Sequence, residues 1–508
     1  MPNTAKIQFN VKNFIPGISD PQPAIFGVIG ITKRGPIEQP ELFIINSWSQ
    51  FERLYGGLID TTSDFPFLCK RALARGARLR VCRVNATSVP AVKATAKNIQ
   101  NADGSPVTLF TAQPKYPGAD YNNIKIQITD PSNGDTTNYW NMYITHDLEP
   151  ELNEPYLNIG KFVDGPASSQ SVLDEIKSMS QLMDFNYVDT TAGVLMRPAV
   201  AAASNFTGGV NPSGHAAGDY TSAMTKFNNV DDCLILAVPE MSTTAINQGG
   251  ATYCNTRADM VFFAHLANSL TTKTTILAER VAIGNNSSYW AIFAGGVRVR
   301  QERTLIEKAI SEMGDVLGIA AYVHNNFGPW YSLAGWSRSQ IQDALGVVNN
   351  FGSPASFSDL NELANGQINM MVVKNGITQL AGNFSGQYAS DQMKFLSIVF
   401  LTIWLKRTIK PVLEQYLEEP NDTITFKKIY YHLKQVLDKL SSPDYRAIYK
   451  YEYYGDQDVD SIDDLQINDK VDVQNGKYKI NLKIWPIPSM QELTFNLMLV
   501  QGEGVYIS

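Results

Sequence analysis

The sequence predicts a mixed chain of several domains: α/β in its first part and again in its middle, β-rich between the two, and α+β towards its end. Three observations carry that expectation. Continuous apolar runs, AIFGVIGIT at 24–32 and DDCLILAVP at 231–239, alternate with helical segments, the rhythm of a parallel sheet buried on both faces. Between them, NIKIQITD and NYWNMYITHD alternate strictly and are separated by Asn133-Gly134, a hairpin signature. The last third holds the strongest helix pattern, followed by strands interrupted by prolines.

At 508 residues the chain exceeds the usual size of one hydrophobic core, so roughly two to four domains are expected. Hydrophobic residues make up 44% and charged residues 18% of it, and low charge with 10% aromatics suits surfaces that become covered, in an assembly or within a large monomer alike. The formal charge of −7, from 42 basic and 49 acidic residues without a long basic run, argues against nucleic acid as a partner. Cys69, Cys82, Cys233 and Cys254 form neither CxxC nor close pairs, so buried free thiols are expected rather than a zinc site or a disulfide framework. The opening MPNTAKIQFNVKNF lacks the pattern of a signal peptide, and a product that stays in the cytoplasm where it is made is expected. The apolar stretch Phe395 to Leu405 is about half of the roughly 20 residues that span a bilayer, so it reads as a buried helix and no membrane insertion is expected.

Taken in order, AKIQFNVK (Ala5 to Lys12) alternates as a strand and ends in a Pro16-Gly17 turn. The glycine-bearing run Ala24 to Thr32 follows as a buried strand and leaves through Lys33-Arg34-Gly35-Pro36. Ser47 caps a short helix carrying Phe51, Leu54 and Tyr55, stopped by Gly56-Gly57. A second helix, Phe65 to Arg75, ends at Gly76 and feeds the strand Arg78 to Val84. The hairpin-rich insert then runs to about Asn205, with one helix near Ser171 to Met183. Beyond FTGGVNPSG the α/β rhythm resumes: helix Asp219 to Phe227, strand Asp232 to Val238, helix Ala258 to Ser269 and strand Thr274 to Ala278. Ser390 is positioned to cap a helix that is apolar all round to Leu405 and thereafter keeps Ile409, Val412, Leu413 and Tyr416 on one face and Lys406, Arg407 and Lys410 on the other. Pro411 inside this pattern should kink the helix or start a new one. The loop EEPND leads to a helix Phe426 to Leu440, and KYKINLKIWPIP, ELTFNLMLV and GEGVYIS read as closing strands.

Catalytic patterns are missing. The five histidines, His146, His215, His265, His324 and His432, form no HExxH, HxH or i,i+4 pair, so no metal is expected. Gly27 and Gly30 make a GxxG rather than GxGxxG, and there is no GxxxxGK[ST], so neither a nucleotide nor another cofactor is expected. GNFSG at 382–386 has its serine one place too late for a nucleophile elbow, leaving only a triad assembled from distant residues. The acidic run Asp456, Asp458, Asp460, Asp463, Asp464 fails as a calcium loop, because Ser461 stands where the turn glycine belongs and Ile467 where the bidentate glutamate belongs. A solvated loop is the better reading. Taken alone, Lys406, Arg407 and Lys410 are an ordinary exposed helix face.

Six segments in order resemble the contractile phage tail sheath protein family, which also occurs in tailocins and other contractile injection systems. They are AIFGVIGITKRGP with SWSQFERLYGG and RGARLRVCRV; YPGADYNNIKIQI; FTGGVNPSG with DDCLILAVP; GPWYSLAG; EEPNDTITFKKI; and LKIWPIPSMQELTFNLML. Each is short and tolerant, and the ordered set carries the resemblance from Ala24 to Val500, weakest over 89–205. The arm before Ala24 is shorter than in many members, and GPWYSLAG replaces a proline-rich Ala-Gly segment.

The resemblance implies a tail-sheath fold with an N-terminal arm at 1–20, the first part of the core at 21–100, a β-rich outer insert at 101–205, a middle subtilisin-like α/β domain at 206–380, a C-terminal α+β tube-facing domain at 381–500 and a C-terminal arm at 501–508. It implies a non-enzymatic structural subunit, assembled in the host cytoplasm into stacked hexameric rings around a tail tube protein, with baseplate and tail terminator proteins as further partners. Contraction would drive the tube through a cell envelope for genome delivery. Strand-donating arms are expected at Lys6, Ile7, Gln8, Phe9, Asn10 and Val11 and at Gly504, Val505, Tyr506 and Ile507, adding strands to neighbouring subunits. Lys406, Arg407, Lys410, Lys427 and Lys428 are candidates for weak contacts to an acidic tube. The alternatives are another virion tail component, tube or baseplate, whose tube proteins are shorter and nearly all β, and a cytosolic α/β hydrolase.

Overall fold

The computed structural model describes residues 24–59, 63–102, 107–162, 166–188, 197–301, 305–341, 343–388, 391–455, 468 and 474–489. Both arms, Lys6 to Val11 and Gly504 to Ile507, lie outside the described residues, as do Ser390, the acidic run Asp456 to Asp464 and the strand expected at 492–500. The chain divides into two compact units, residues 1–408 and 409–508.

The first unit is organised by an eight-stranded sheet in the order 340–341, 377–381, 368–374, 290–294, 261–265, 235–237, 25–30, 78–83. Its six strands from 368–374 to 78–83 are parallel, with Val28 opposite both Val81 and Ala237 and Phe263 opposite Ala291. Strands Ile377–Ala381 and Gln340–Ile341 close one edge antiparallel. Every residue of Ile25–Gly30, Val261–His265 and Trp290–Ala294 is buried, as a sheet covered on both faces requires. One face packs Phe26, Val28, Val81, Phe263 and Phe293 under helices Phe65–Ala74 and Met313–Asn326 and the first half of Leu396–Glu414. The other packs Ile29, Leu236, Phe262 and Ile292 under helices Ala217–Thr225, Thr244–Arg257 and Lys273–Ile283. Gly30 has a packing reason: a Cβ there would lie 2.2 Å from the Phe65 ring, so only glycine lets that helix sit so close.

Two expectations are overturned in this region. The segment read as helix, Ala258 to Ser269, contains the strand Val261–His265, and the segment read as strand, Thr274 to Ala278, lies within the helix Lys273–Ile283. A short run apolar on every side fits a doubly buried strand as well as a buried helix, and here length decides for the strand. The helix has its own boundary signals: Thr272 accepts from Thr275 N, Thr275 returns the bond, and Gly284 at φ 70° ends the helix.

Residues 97–205 build two antiparallel sheets with a hydrophobic cluster of their own. One contains Lys97–Gln100, Thr108–Pro114 and Met183–Tyr187. The other has the order 154–160, 139–146, 124–129, 201–205. Ile124, Ile126 and Ile128 alternate inward, Ile126 faces Ile144, and Phe110, Trp140, Phe162 and Phe185 fill the interior beneath helix Pro166–Met179. Strands 25–30 and 78–83 share one sheet with strands from 235 to 381, so sequence segments on either side of this insert build a common core.

In the second unit, helix Thr423–Ser441 is capped by Asp422, which accepts from Thr425 N at 2.9 Å, and buries Phe426, Ile429, Leu433, Val436, Leu437 and Leu440. Strands Ile448–Tyr454 and Asn481–Pro486 pair antiparallel. Tyr430 stands 5.0 Å from Tyr453, and Phe426 stacks on Tyr478 at 3.9 Å.

Candidate functional site

The strand order reverses beside Ile25–Gly30, whose neighbours are Arg78–Arg83 on one side and Ile235–Ala237 on the other. In open parallel sheets the crevice at the carboxyl ends of such strands is the usual ligand position. Here it is partly filled from within. Glu240 accepts from Ser63 Oγ at 2.6 Å and Asp64 N at 2.7 Å, while Asp64 pairs with Lys308 at 2.5 Å. Burial, opposed by these hydrogen bonds, raises the Glu240 carboxyl above its ordinary range. Beside them a cavity of about 190 Å³ is lined in part by Glu240, Ser242, His265, Asn268 and Ser311.

His265 Nδ1 lies 3.2 Å from Ser311 Oγ, a pairing that invites comparison with a nucleophile and its base. The geometry gives the hydroxyl another task, because Ser311 Oγ accepts from Met313 N at 3.1 Å where the helix Met313–Asn326 begins. Burial lowers His265 to about 4, so the ring is neutral and a weak base at neutral pH. Among the described residues no carboxylate is bonded to the ring, so no acid orients it as in a triad. In GNFSG, Ser385 Oγ donates to Met393 O at 2.8 Å. All four cysteines are buried and free, with burial raising each thiol, so none has the character of a reactive thiolate. Among the described residues no three His, Cys, Asp or Glu side chains gather as a metal site would need, and no helix is long and apolar enough to cross a membrane.

Polar groups that the sequence did not single out hold the insert to the core. Arg83, fully buried at the end of strand RLRVCR, donates to Pro117 O at 2.7 Å, Gly35 O at 3.1 Å and Asn211 Oδ1 at 3.0 Å. Burial lowers its guanidinium to about 10. Arg34 pairs at 2.7 Å with both Asp120 and Glu149. Burial alone would raise the Asp120 carboxyl; the His146 hydrogen bond and the Arg34 charge outweigh it and hold the group at about 2. The strand carries Arg78, Arg80 and Arg83, and its sequence does not mark the last of them as the fully buried one.

The basic candidates separate into two kinds. Arg407 turns inward: its Nη1 donates to Asp232 O at 3.1 Å and its Nη2 to Cys233 O at 2.5 Å and Asp259 O at 2.8 Å. Lys406 Nζ donates to Ala258 O at 3.3 Å and Tyr289 Oη at 3.0 Å. Lys410 is exposed and lies 3.8 Å from Glu414, and Lys427 and Lys428 are exposed on helix Thr423–Ser441. The expected common basic face is therefore divided, with Arg407 committed to backbone carbonyls of its own unit.

No protein-family model matches the sequence, and no curated protein matches it. Solved structures do. A sheath tail protein from Listeria innocua aligns with a TM-score of 0.59 at 11% identity, over 92% of this chain and 96% of its own. A sheath tail protein from Desulfitobacterium hafniense aligns with a TM-score of 0.56 at 12% identity, over 96% and 98%. The helical sheath of the anti-feeding prophage in its contracted state aligns with a TM-score of 0.54 at 11% identity, over 97% and 99%. At such identities the likeness is one of fold, and it extends over nearly the whole of both chains: the fold of this chain is that of the tail sheath proteins.

Proposed function

We propose that this chain is the structural subunit of a contractile tail sheath, polymerising as stacked hexameric rings around a tail tube and contracting to drive that tube through a cell envelope. The observation that carries the reading is the near-complete mutual coverage with sheath proteins, one of them taken from a contracted sheath. A shared domain would match part of each chain; a shared architecture matches all of it.

The interior chemistry supports a role without catalysis, since His265 is neutral and Ser311 serves a helix start. The work of contraction then comes from subunit packing, the extended array being metastable relative to the contracted one. The division into arms at 1–20 and 501–508, core at 21–100, outer insert at 101–205, subtilisin-like middle domain at 206–380 and tube-facing domain at 381–500 belongs to the same proposal, as do the baseplate and terminator partners and a place in the tail of a virion or injection system. Strand donation by Lys6 to Val11 and Gly504 to Ile507 would link subunits. Lys410, Lys427 and Lys428 are the proposed contacts to an acidic tube, each worth under about 1 kcal/mol and so breakable.

Negative-stain microscopy of the purified full-length chain is the direct test. Hollow polymeric sheaths are expected; a monodisperse monomer persisting at high concentration overturns the reading.

A further inference from the structure

His146 closes strand Tyr139–His146 within the first compact unit and is 3% exposed. Its Nδ1 accepts from Leu148 N at 3.3 Å and from Glu149 N at 3.1 Å, while its Nε2 lies 3.6 Å from Asp120 Oδ2. An imidazole nitrogen that accepts carries no proton, so the hydrogen-bond network assigns a neutral ring with its hydrogen on Nε2, the side of Asp120. The turn held by the two Nδ1 bonds carries Glu149, whose carboxylate meets Arg34 at 2.7 Å and Lys33 at 3.6 Å. Arg34 also meets Asp120 at 2.7 Å. One ring thus stands behind both carboxylates that tie the insert to Arg34: it faces one and positions the other.

We propose that His146 is a proton-sensitive latch for the insert: the turn at 146–149 closes only around a neutral imidazole, and acid frees Glu149 from Arg34 by charging the ring. The charges around the ring pull both ways. Asp120, on the 3-10 turn Ala119–Asn123, and Asp147 and Glu149, just beyond the strand, favour an imidazolium. Lys33 and Arg34, on the turn leaving strand Ile25–Gly30, and Lys125, on strand Ile124–Thr129, oppose it. Geometry decides between them. The pull of Asp120 acts at Nε2, which already holds its hydrogen, so a further proton has only Nδ1 to occupy. There it turns the acceptor of two N–H groups into a third donor, and both lose their partner at once. The opened turn binds a proton that the closed turn excludes, so the closed turn gains as pH rises and is lost as pH falls. Asp120 is held at about 2 and stays ionised at milder acidity, so the response does not run through it. The latch rests on this geometry and not on the sheath reading.

The test is hydrogen exchange of the full chain, read on peptides spanning 146–150 with labelling times scaled to the intrinsic rate at each pH. Between about pH 8 and about pH 5.5 the Leu148 and Glu149 amides should lose protection about tenfold. His146→Asn keeps an oxygen acceptor where Nδ1 stands and takes up no proton, so its protection should change less than about twofold over the same range. Glu149→Gln removes the rival titration and should keep the loss seen in the parent. Protection insensitive to pH in the parent overturns the proposal, as does an equal loss in His146→Asn or a loss abolished by Glu149→Gln. The Glu149→Gln comparison decides even where His146→Asn fails to fold. None of these results is read through polymerisation, so the latch and the sheath reading fail separately.

Discussion

Arg34 and Asp120 stand 86 positions apart in sequence and 2.7 Å apart in space, and the guanidinium that joins them is 2% exposed. Arg34 belongs to the turn leaving the first core strand, Asp120 to the 3-10 turn that opens the four-stranded sheet of the insert. Glu149, just beyond the strand that pairs with Ile124–Thr129 and at the same open end of that hairpin, takes the second nitrogen at 2.7 Å. Two carboxylates and a strand exit thus share one buried cation. Arg34→Ala would leave both acids without it, and breaking a buried pair from one side costs about 3 kcal/mol or more. Hydrogen exchange is the appropriate measurement, with protection lost first in strands Ile124–Thr129 and Tyr139–His146. Undiminished protection there would show that the hydrophobic cluster alone holds the insert in place.

Glu312 makes the stability of the fold depend on pH. It is fully buried, accepts from Gly296 N at 3.1 Å with one oxygen, and has no hydrogen-bond partner for the other among the described residues. Burial raises the carboxyl from 4.5 to about 7, more than its backbone hydrogen bonds lower it. A group whose folded value is raised contributes stability that is complete below its unfolded value and lost as pH rises through the folded one. The loss between 4.5 and about 7 amounts to about 3 kcal/mol. Glu312→Gln removes the titration while keeping an acceptor for Gly296. The variant should melt higher than the parent at about pH 8, with the two converging near about pH 4. Equal melting temperatures at the higher pH would count against a buried charge.

Much of this architecture was legible because the periodicities were long or the punctuation explicit. Ser47 caps helix Trp48–Tyr55 and Gly56 ends it at φ 82°, as the spacing predicts. The alternation of 123–130 against 138–147 became an antiparallel pair with Ile126 facing Ile144. What failed was local ambiguity settled by distant partners. Val261–His265 is a strand because Ile235–Ala237 and Trp290–Ala294 lie on either side of it, neither of which its own five residues encode. Arg407 failed for a similar reason. Helical phase placed it with Lys406 and Lys410, yet three carbonyls at strand starts hold its guanidinium in place of solvent.

Arg407 and Lys428 should therefore separate stability from assembly. Arg407→Ala leaves the carbonyls of Asp232, Cys233 and Asp259 without their charged donor, and a loss of about 3 kcal/mol in urea denaturation is expected. Lys428→Ala, at an exposed helical site, should stay within about 0.5 kcal/mol of the parent. If the exposed lysines contact an acidic tube, Lys428→Glu should weaken co-sedimentation with the tube protein at low salt, and the difference should fade as salt screens it. A stable Arg407→Ala variant would mean that the carbonyls are satisfied without it. An unchanged Lys428→Glu would remove that residue from the tube contact.

The arms can be tested in the same spirit, because the core strand nearest the amino-terminal one is already complete. Ile25–Gly30 has parallel neighbours on both sides, Arg78–Arg83 and Ile235–Ala237, so that strand does not need residues 1–12 for its pairing. Deleting them should leave helical and sheet content and melting temperature unchanged by circular dichroism. If those residues donate a strand to a neighbour, the truncated chain should sediment as a monomer under conditions in which the full chain polymerises, because the main-chain hydrogen bonds of strand addition supply the affinity. Added back in excess as a separate peptide, the segment should not restore polymers, since a free strand can occupy the acceptor edge without linking two subunits. Polymerisation that survives the deletion would place the lattice contacts elsewhere and remove Lys6 to Val11 from the proposed interface.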